Sequence, residues 1–145
     1  MSSKSRSASR LAAVQALYQH AMEGTQLPRL LDEFHMHRLG AEIEDVQFLE
    51  AETAFFDDVV SGVIARSDEI NTLIASKLAE GWSLERLDKT MLQILRAGTY
   101  ELLARKDVPT GSAISEYVDV AHAFFEPREA KFVNGVLDGV AKAVR

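Results

Sequence analysis

The sequence predicts an all-α fold of about seven packed helices, and three observations carry that expectation. Apolar residues recur at helical spacing along most of the chain, most clearly at Phe132, Val133, Val136, Leu137, Val140 and Val144. No stretch shows the strict alternation of a half-buried strand. The breaks between periodic stretches are short and carry turn residues, as at Gly24, Gly40, Gly81 and Val108-Pro109-Thr110-Gly111.

Taken in order, Ser2 to Ser9 is polar and is expected to be frayed. A helix follows to about Met22, with Leu11, Val14, Leu17, Tyr18 and Met22 on its inner face and Gly24 ending it. Leu27-Pro28 opens a second helix, with proline in the first turn where its missing N–H is harmless, and this helix runs towards Gly40. A long third helix is predicted from Asp45, its N-cap, to Arg66, burying Phe48, Leu49, Phe55, Phe56, Val59, Val63 and Ile64. Ser67-Asp68 restarts the chain into a helix with Ile70, Leu73, Ile74 and Leu78 inside. Ser83 is placed to cap a short turn over Leu84–Leu87.

Asp88 then caps a helix from Lys89 to about Arg105. It is apolar nearly all round from Met91 to Leu103, so it is expected at the centre of the C-terminal half. Ile114, Tyr117, Val118, Ala121 and Phe124 define the next helix, and Glu126-Pro127 separates it from the last. In that last helix Gly135 and Gly139 stand four apart on one side. Each costs about 1 kcal/mol against alanine, so they are expected to admit a close backbone approach. A seam is expected near Arg66-Ser67, dividing one 1–145 domain into two helical subdomains.

Composition narrows the function classes. A chain of 145 residues with 47% hydrophobic and 8% aromatic content is long and apolar enough to bury a core. It has no cysteine, which excludes disulfides and thiolate metal sites and suits a cytoplasmic location. No apolar run approaches the roughly 20 residues of a membrane span, and no apolar h-region follows Lys4 and Arg6 to make a secretory signal. A net charge of −6 argues against general nucleic-acid affinity, but the charge is unevenly spread. Met1 to Met22 holds Lys4, Arg6 and Arg10 and no acid. Leu39 to Ala65 holds Glu42, Glu44, Asp45, Glu50, Glu52, Asp57 and Asp58 and no base, which reads as a solvated helix face.

Reaction chemistry is not apparent. There is no Gly-rich loop leading to Lys-Ser or Lys-Thr, no dinucleotide fingerprint and no Gly-x-Ser-x-Gly elbow. Of His20, His35, His37 and His122, the close pair His35 and His37 falls on different helix faces, and surface histidines are expected. The expectation is a binding protein, not an enzyme, with no cofactor and no metal. Lys4, Arg6 and Arg10 at the N-terminus can approach a phosphate backbone as a basic arm, or they form a solvated terminus. Tyr18 reads as a core tyrosine with its hydroxyl at the rim, and Glu85 as a solvated acid. Lys131 is a free cation beside Phe132, which belongs to the core or offers its ring to a base.

Four motifs carry a family resemblance. They are Lys131 to Asp138 (KFVNGVLD), Arg10 to Gln19 (RLAAVQALYQ), Ile94 to Leu102 (ILRAGTYEL) followed by Asp107-Val-Pro109, and Ala113 to Ala121 (AISEYVDVA). In this order and over nearly the whole chain they resemble the NusB family of transcription antitermination factors. The resemblance implies a bundle in two helical subdomains. It also implies binding to boxA-like single-stranded RNA of nascent ribosomal RNA leaders. Further implied partners are the ribosomal protein NusE and the antitermination complex of RNA polymerase, with no membrane.

By that resemblance Lys4, Arg6, Arg10, Lys131 and Phe132 face RNA, and Tyr18 and Glu85 face the partner protein. The chain departs from the pattern in two places. Serines stand where relatives carry N-terminal arginines, and Met91-Leu92 replaces an acid–base pair. Two alternatives follow. One is an adaptor of this fold that binds protein without RNA. The other is the helical domain that accompanies some RNA methyltransferases; the expectation is against it, because no catalytic domain follows Arg145.

Overall fold

The computed structural model describes residues 3–36 and 46–145, with side chains described for 6–36 and 53–145. Among these residues every regular element is helical. The α-helices are α1 (Ser3–Glu23), α2 (Leu27–Phe34), α3 (Val46–Ala65), α4 (Ser67–Ala75), α5 (Lys89–Ala104), α6 (Thr110–Phe124) and α7 (Pro127–Val144), with one 3-10 turn at Leu84–Arg86. The expected end of the second helix at Gly40, the acids Glu42 and Glu44 and the Asp45 cap lie outside the described residues. So do the side chains of Phe48, Leu49, Glu50 and Glu52. Contacts divide the chain into two units, Met1–Gly62 and Val63–Arg145.

In the first unit, helix α1 starts at Ser3, so the frayed terminus expected for Ser2–Ser9 is corrected. The reason is a long-range contact. Arg6 and Arg10 stand one turn apart, and both guanidinium groups lie over the Phe55 ring of α3, at 4.5 Å and 5.0 Å from its centroid. The buried face of α1 is also rotated from the expected one. Val14 and Leu17 are buried together with Ala12, Ala13 and Ala16, while Tyr18 and Met22 are 41% and 48% exposed. Alanines take the inner face because they let a neighbouring helix come close, and a count of large apolar residues overlooks them. Gly24 ends α1 at φ +71°, a left-handed conformation that favours glycine, and its N–H reaches the His20 carbonyl at 3.0 Å. Pro28 sits in the first turn of α2, which buries Leu30 and Phe34; the Phe34 ring stacks on Phe56 at 5.5 Å.

In the second unit, α5 is the hub: it packs against α4, α6 and α7 and is buried from Met91 to Leu102 except at Arg96. Asp88 caps it as expected, its Oδ1 accepting from the N–H groups of Thr90 and Met91 at 2.8 and 3.1 Å. Ser83 does not cap the 3-10 turn. Its hydroxyl is engaged by the Glu85 carboxylate instead. At the other end of α5, the Arg145 guanidinium donates to the carbonyls of Glu101, Leu102, Arg105 and Val108, satisfying groups that the helix end leaves open.

Helix α7 buries Ala130, Val133, Val136, Leu137, Val140 and Ala141. The expected role of its two glycines is corrected. A Cβ at Gly135 would meet nothing within 4 Å, and the nearest atoms to one at Gly139 would belong to the flexible Lys77 side chain, at 3.2 Å and beyond. The side they share also carries Lys131, Asp138 and Lys142, all exposed, so no backbone approaches there. The close approach lies at Gly98 on α5, where a Cβ would fall 2.8 Å from Leu137 Cδ1 and 3.3 Å from Tyr117 Cδ2. Leu137 and Tyr117 are fully buried and have little freedom to move aside. Gly98→Ala is therefore expected to destabilise the protein by about 1–3 kcal/mol despite alanine's better helix propensity. A denaturation midpoint equal to the parent's would overturn this.

Candidate nucleic-acid and partner-binding surfaces

The basic N-terminus is a helix, and its three cations have different environments. Lys4 lies in the first turns of α1, and its side chain is outside the described ones. Arg6 is half-buried over Phe55, with its Nε buried and without a hydrogen-bond partner. Arg10 is only 3% exposed. The expectation that Arg10 meets a phosphate is corrected: its charge is turned onto the Phe55 ring and inside the unit, so it organises α1.

Tyr18 is not the core tyrosine of the simplest reading, since with Met22 one turn on it forms an exposed apolar strip along α1. In the same unit, Gln19 Nε2 donates to Glu33 Oε2 at 2.9 Å, which holds α2 beside α1. His35, expected as a surface histidine, is half-buried: its Nε2 lies 2.6 Å from Asp57 Oδ1 and its ring meets Phe56 edge-on. Asp57 is therefore engaged and does not belong to a purely solvated acidic face. No group of three or more metal-ligating side chains occurs among the described residues.

In the second unit, Glu85 is fully exposed on the 3-10 turn. A hydrogen bond with its own backbone N–H, then one from Ser83, holds its carboxyl below the ordinary value, so it presents a firm negative charge. Lys131 is exposed on α7. Phe132 is half-buried, and its ring lines a cleft of about 640 Å³. Trp82, Met91 and Phe125 share that wall, and Arg86, Arg128 and Glu129 stand around it.

Sequence reasoning missed this cleft. Its one legible sign was a lone tryptophan in the polar turn between Gly81 and Ser83; Trp82 is 54% exposed, which is unusual for so large an apolar ring. Arg96, within the ILRAGTYEL motif, is half-buried, and burial lowers its pKa; its Nε donates to Asn71 Oδ1 at 2.9 Å.

These features define a class: an all-helical protein whose exposed aromatic and cationic side chains gather on helix faces and turns, as in a module that binds macromolecules. The chain belongs to the NusB family, whose model matches residues 7–142. It is 70% identical to the transcription antitermination protein NusB of Novosphingobium aromaticivorans, over 100% of this chain and 98% of that one. It is 63% identical to the protein of the same name from Sphingopyxis alaskensis, over 98% and 95%. Among solved structures it resembles NusB from T. maritima at 33% identity, with a TM-score of 0.75 over 94% of this chain and 90% of that one. It also resembles a chain in a complex of the antitermination factors NusB and NusE with double-stranded RNA. There the identity is 25% and the TM-score 0.79, over 98% of this chain and 99% of that one.

Proposed function

We propose that this protein is a transcription antitermination factor that acts in the cytoplasm as one RNA-binding domain. It binds boxA-like single-stranded RNA of nascent ribosomal RNA transcripts together with NusE, and the complex keeps RNA polymerase processive. It catalyses no reaction. The observation that carries this reading is that its fold matches, over almost the whole of both chains, one solved together with NusE and RNA. In this reading Lys4, Arg6, Lys131 and Phe132 face the RNA, and Tyr18 and Glu85 face NusE. Arg10 supports the RNA side from within.

Few exposed cations supply little phosphate attraction, so the protein alone is expected to bind RNA weakly and with a shallow salt dependence. NusE adds contacts to the same strand. The test is a titration of boxA-like RNA into the protein with and without NusE, at two salt concentrations, with a double-stranded control. A tenfold or greater tightening by NusE is expected, and linkage requires RNA to tighten NusE binding by the same factor. A change of less than twofold overturns joint recognition. The inward-turned Arg10 favours one second reading, an adaptor that binds protein without RNA. A pull-down of NusE that is indifferent to ribonuclease, with no RNA affinity at either salt, would select that reading.

A further inference from the structure

We propose that Met22 is an oxidation site that controls assembly with the partner protein: conversion of its thioether to the sulfoxide weakens NusE binding and leaves the fold and RNA binding in place. The proposal rests on the partner reading of Tyr18 above and adds a means of regulating that surface.

Met22 lies four residues after Tyr18 in α1, one helical turn on, so the two side chains are surface neighbours. They are 48% and 41% exposed, and Ala21 between them is exposed as well. Periodicity predicts both large side chains inside, but the alanine-lined inner face of α1 turns them out. A protein that covers the Tyr18 ring therefore reaches Met22. The contact it makes there is apolar, with a ring, a methyl group and a thioether side by side.

The thioether sets this position apart from an ordinary apolar contact. It is flexible and polarisable, and it adapts to a partner's surface. Unlike leucine, it is also open to two-electron oxidation by a hydroperoxide. The sulfur lone pair attacks the outer peroxide oxygen, the O–O bond breaks as the S–O bond forms, and the proton on that oxygen passes to the departing one. Hydrogen peroxide leaves as water, with sulfur oxidised and the peroxide reduced by two electrons. The product side chain is polar and chiral, and a methionine sulfoxide reductase reverses the change. In the free protein the new oxygen stays in water, so the fold is not disturbed. Under a partner it loses that hydration, which opposes docking.

The chain has no cysteine, so its four methionines are its only sulfur groups and no thiol intercepts the oxidant first. Met91 is 5% exposed within α5 and is shielded. Met36 is 74% exposed, just beyond the end of α2, and is open to the same chemistry. Exposure alone therefore does not single out Met22; its place one turn from Tyr18 does. The same geometry makes the effect reciprocal. Oxidation hinders NusE, and bound NusE shields Met22 from oxidant.

The test treats the full-length protein with dilute hydrogen peroxide, then removes the peroxide with catalase before NusE is added. Trypsin separates the three methionines, with Met22 in Leu11–Arg29, Met36 in Leu30–Arg38 and Met91 in Thr90–Arg96. The first two peptides should gain one oxygen well before the third. NusE affinity of the same samples should fall about tenfold, while the melting temperature and the RNA affinity of the protein alone stay at their untreated values. A methionine sulfoxide reductase with a thiol reductant should restore NusE binding. Met22→Leu keeps the apolar contact and loses the sulfur, so its NusE affinity should be indifferent to peroxide. Met36→Leu should remain as sensitive as the parent. Saturation with NusE before treatment should slow oxidation of Leu11–Arg29 severalfold.

Complete oxidation of Met22 with unchanged NusE affinity overturns the proposal, as does a peroxide-dependent loss that Met22→Leu shares. A lowered melting temperature or lost RNA binding in the oxidised protein would mean general damage and overturns it too. Equal oxidation of Met22 with and without saturating NusE places the residue outside the interface and has the same consequence. Absence of NusE binding by the untreated protein, with RNA present, fails the functional reading itself and this inference with it.

Discussion

Val136→Asp is expected to unfold the protein or lower its melting temperature by about 10 °C or more. Val136 is 4% exposed on α7, beside Val133, Leu137 and Val140, on the face that α5 and α6 cover. A carboxylate placed there loses its hydration and finds no cation. Burying an unpaired charge costs about 3–5 kcal/mol, a large share of the roughly 5–15 kcal/mol that holds a domain of this size together. The neighbouring position gives the control. A Cβ at Gly135 would stand in open space, so Gly135→Ala should leave the protein equally stable or up to about 1 kcal/mol more stable. Circular dichroism melts of the two variants check the buried face directly. If Val136→Asp melts like the parent, or if Gly135→Ala is the more damaging change, the packing assigned to α7 is wrong.

The contrast between these two positions shows what a sequence can and cannot convey. The periodicity of large apolar residues is local information, and it located the buried stripe of α7, the hub position of α5 and the Asp88 cap. The glycines mark another limit. Gly24 and Gly81 adopt positive φ, Gly24 where α1 ends and Gly81 in the turn ahead of the 3-10 segment, local events that the chain itself signals. Close packing at Gly98 depends on Leu137, 39 positions further along, and no local pattern distinguishes it from Gly135. The site residues divide in the same way. Arg6 and Arg10 read as a basic arm because Ser2 to Ser9 is small or polar throughout; their partner Phe55 comes from another helix. The Trp82 cleft draws its rings from a turn near residue 82, the end of α6 and the first turns of α7, so only the tertiary fold assembles it. The spacing of Tyr18 from Leu17 and Met22 predicts the inner stripe, yet alanines occupy that side and leave the phenol outside.

Replacing Lys4 and Arg6 together with glutamine is expected to flatten the salt dependence of RNA binding, and Arg10→Gln is not. A contact to a single-stranded phosphate adds about 0.7 to the slope of log affinity against log salt. Two lost contacts then remove about 1.4, so between 50 and 200 mM salt the parent should lose about sevenfold more affinity than the double variant. Arg10 acts differently because it is buried and its guanidinium lies against Phe55. Glutamine there removes a cation–π contact of about 0.5–2 kcal/mol and loosens the packing of α1. The expected signature of Arg10→Gln is a lower melting temperature with the parent's salt slope, measured well below the melt. Arg6 shares the Phe55 ring but is more exposed, so the double variant should show a smaller loss of stability than Arg10→Gln and the larger change in slope. The measurement is RNA affinity at four or more salt concentrations for the parent and both variants, with a melt of each. A parental slope in the double variant removes α1 from the RNA surface. A flattened slope in Arg10→Gln would mean that Arg10 leaves Phe55 to meet the phosphate when RNA binds.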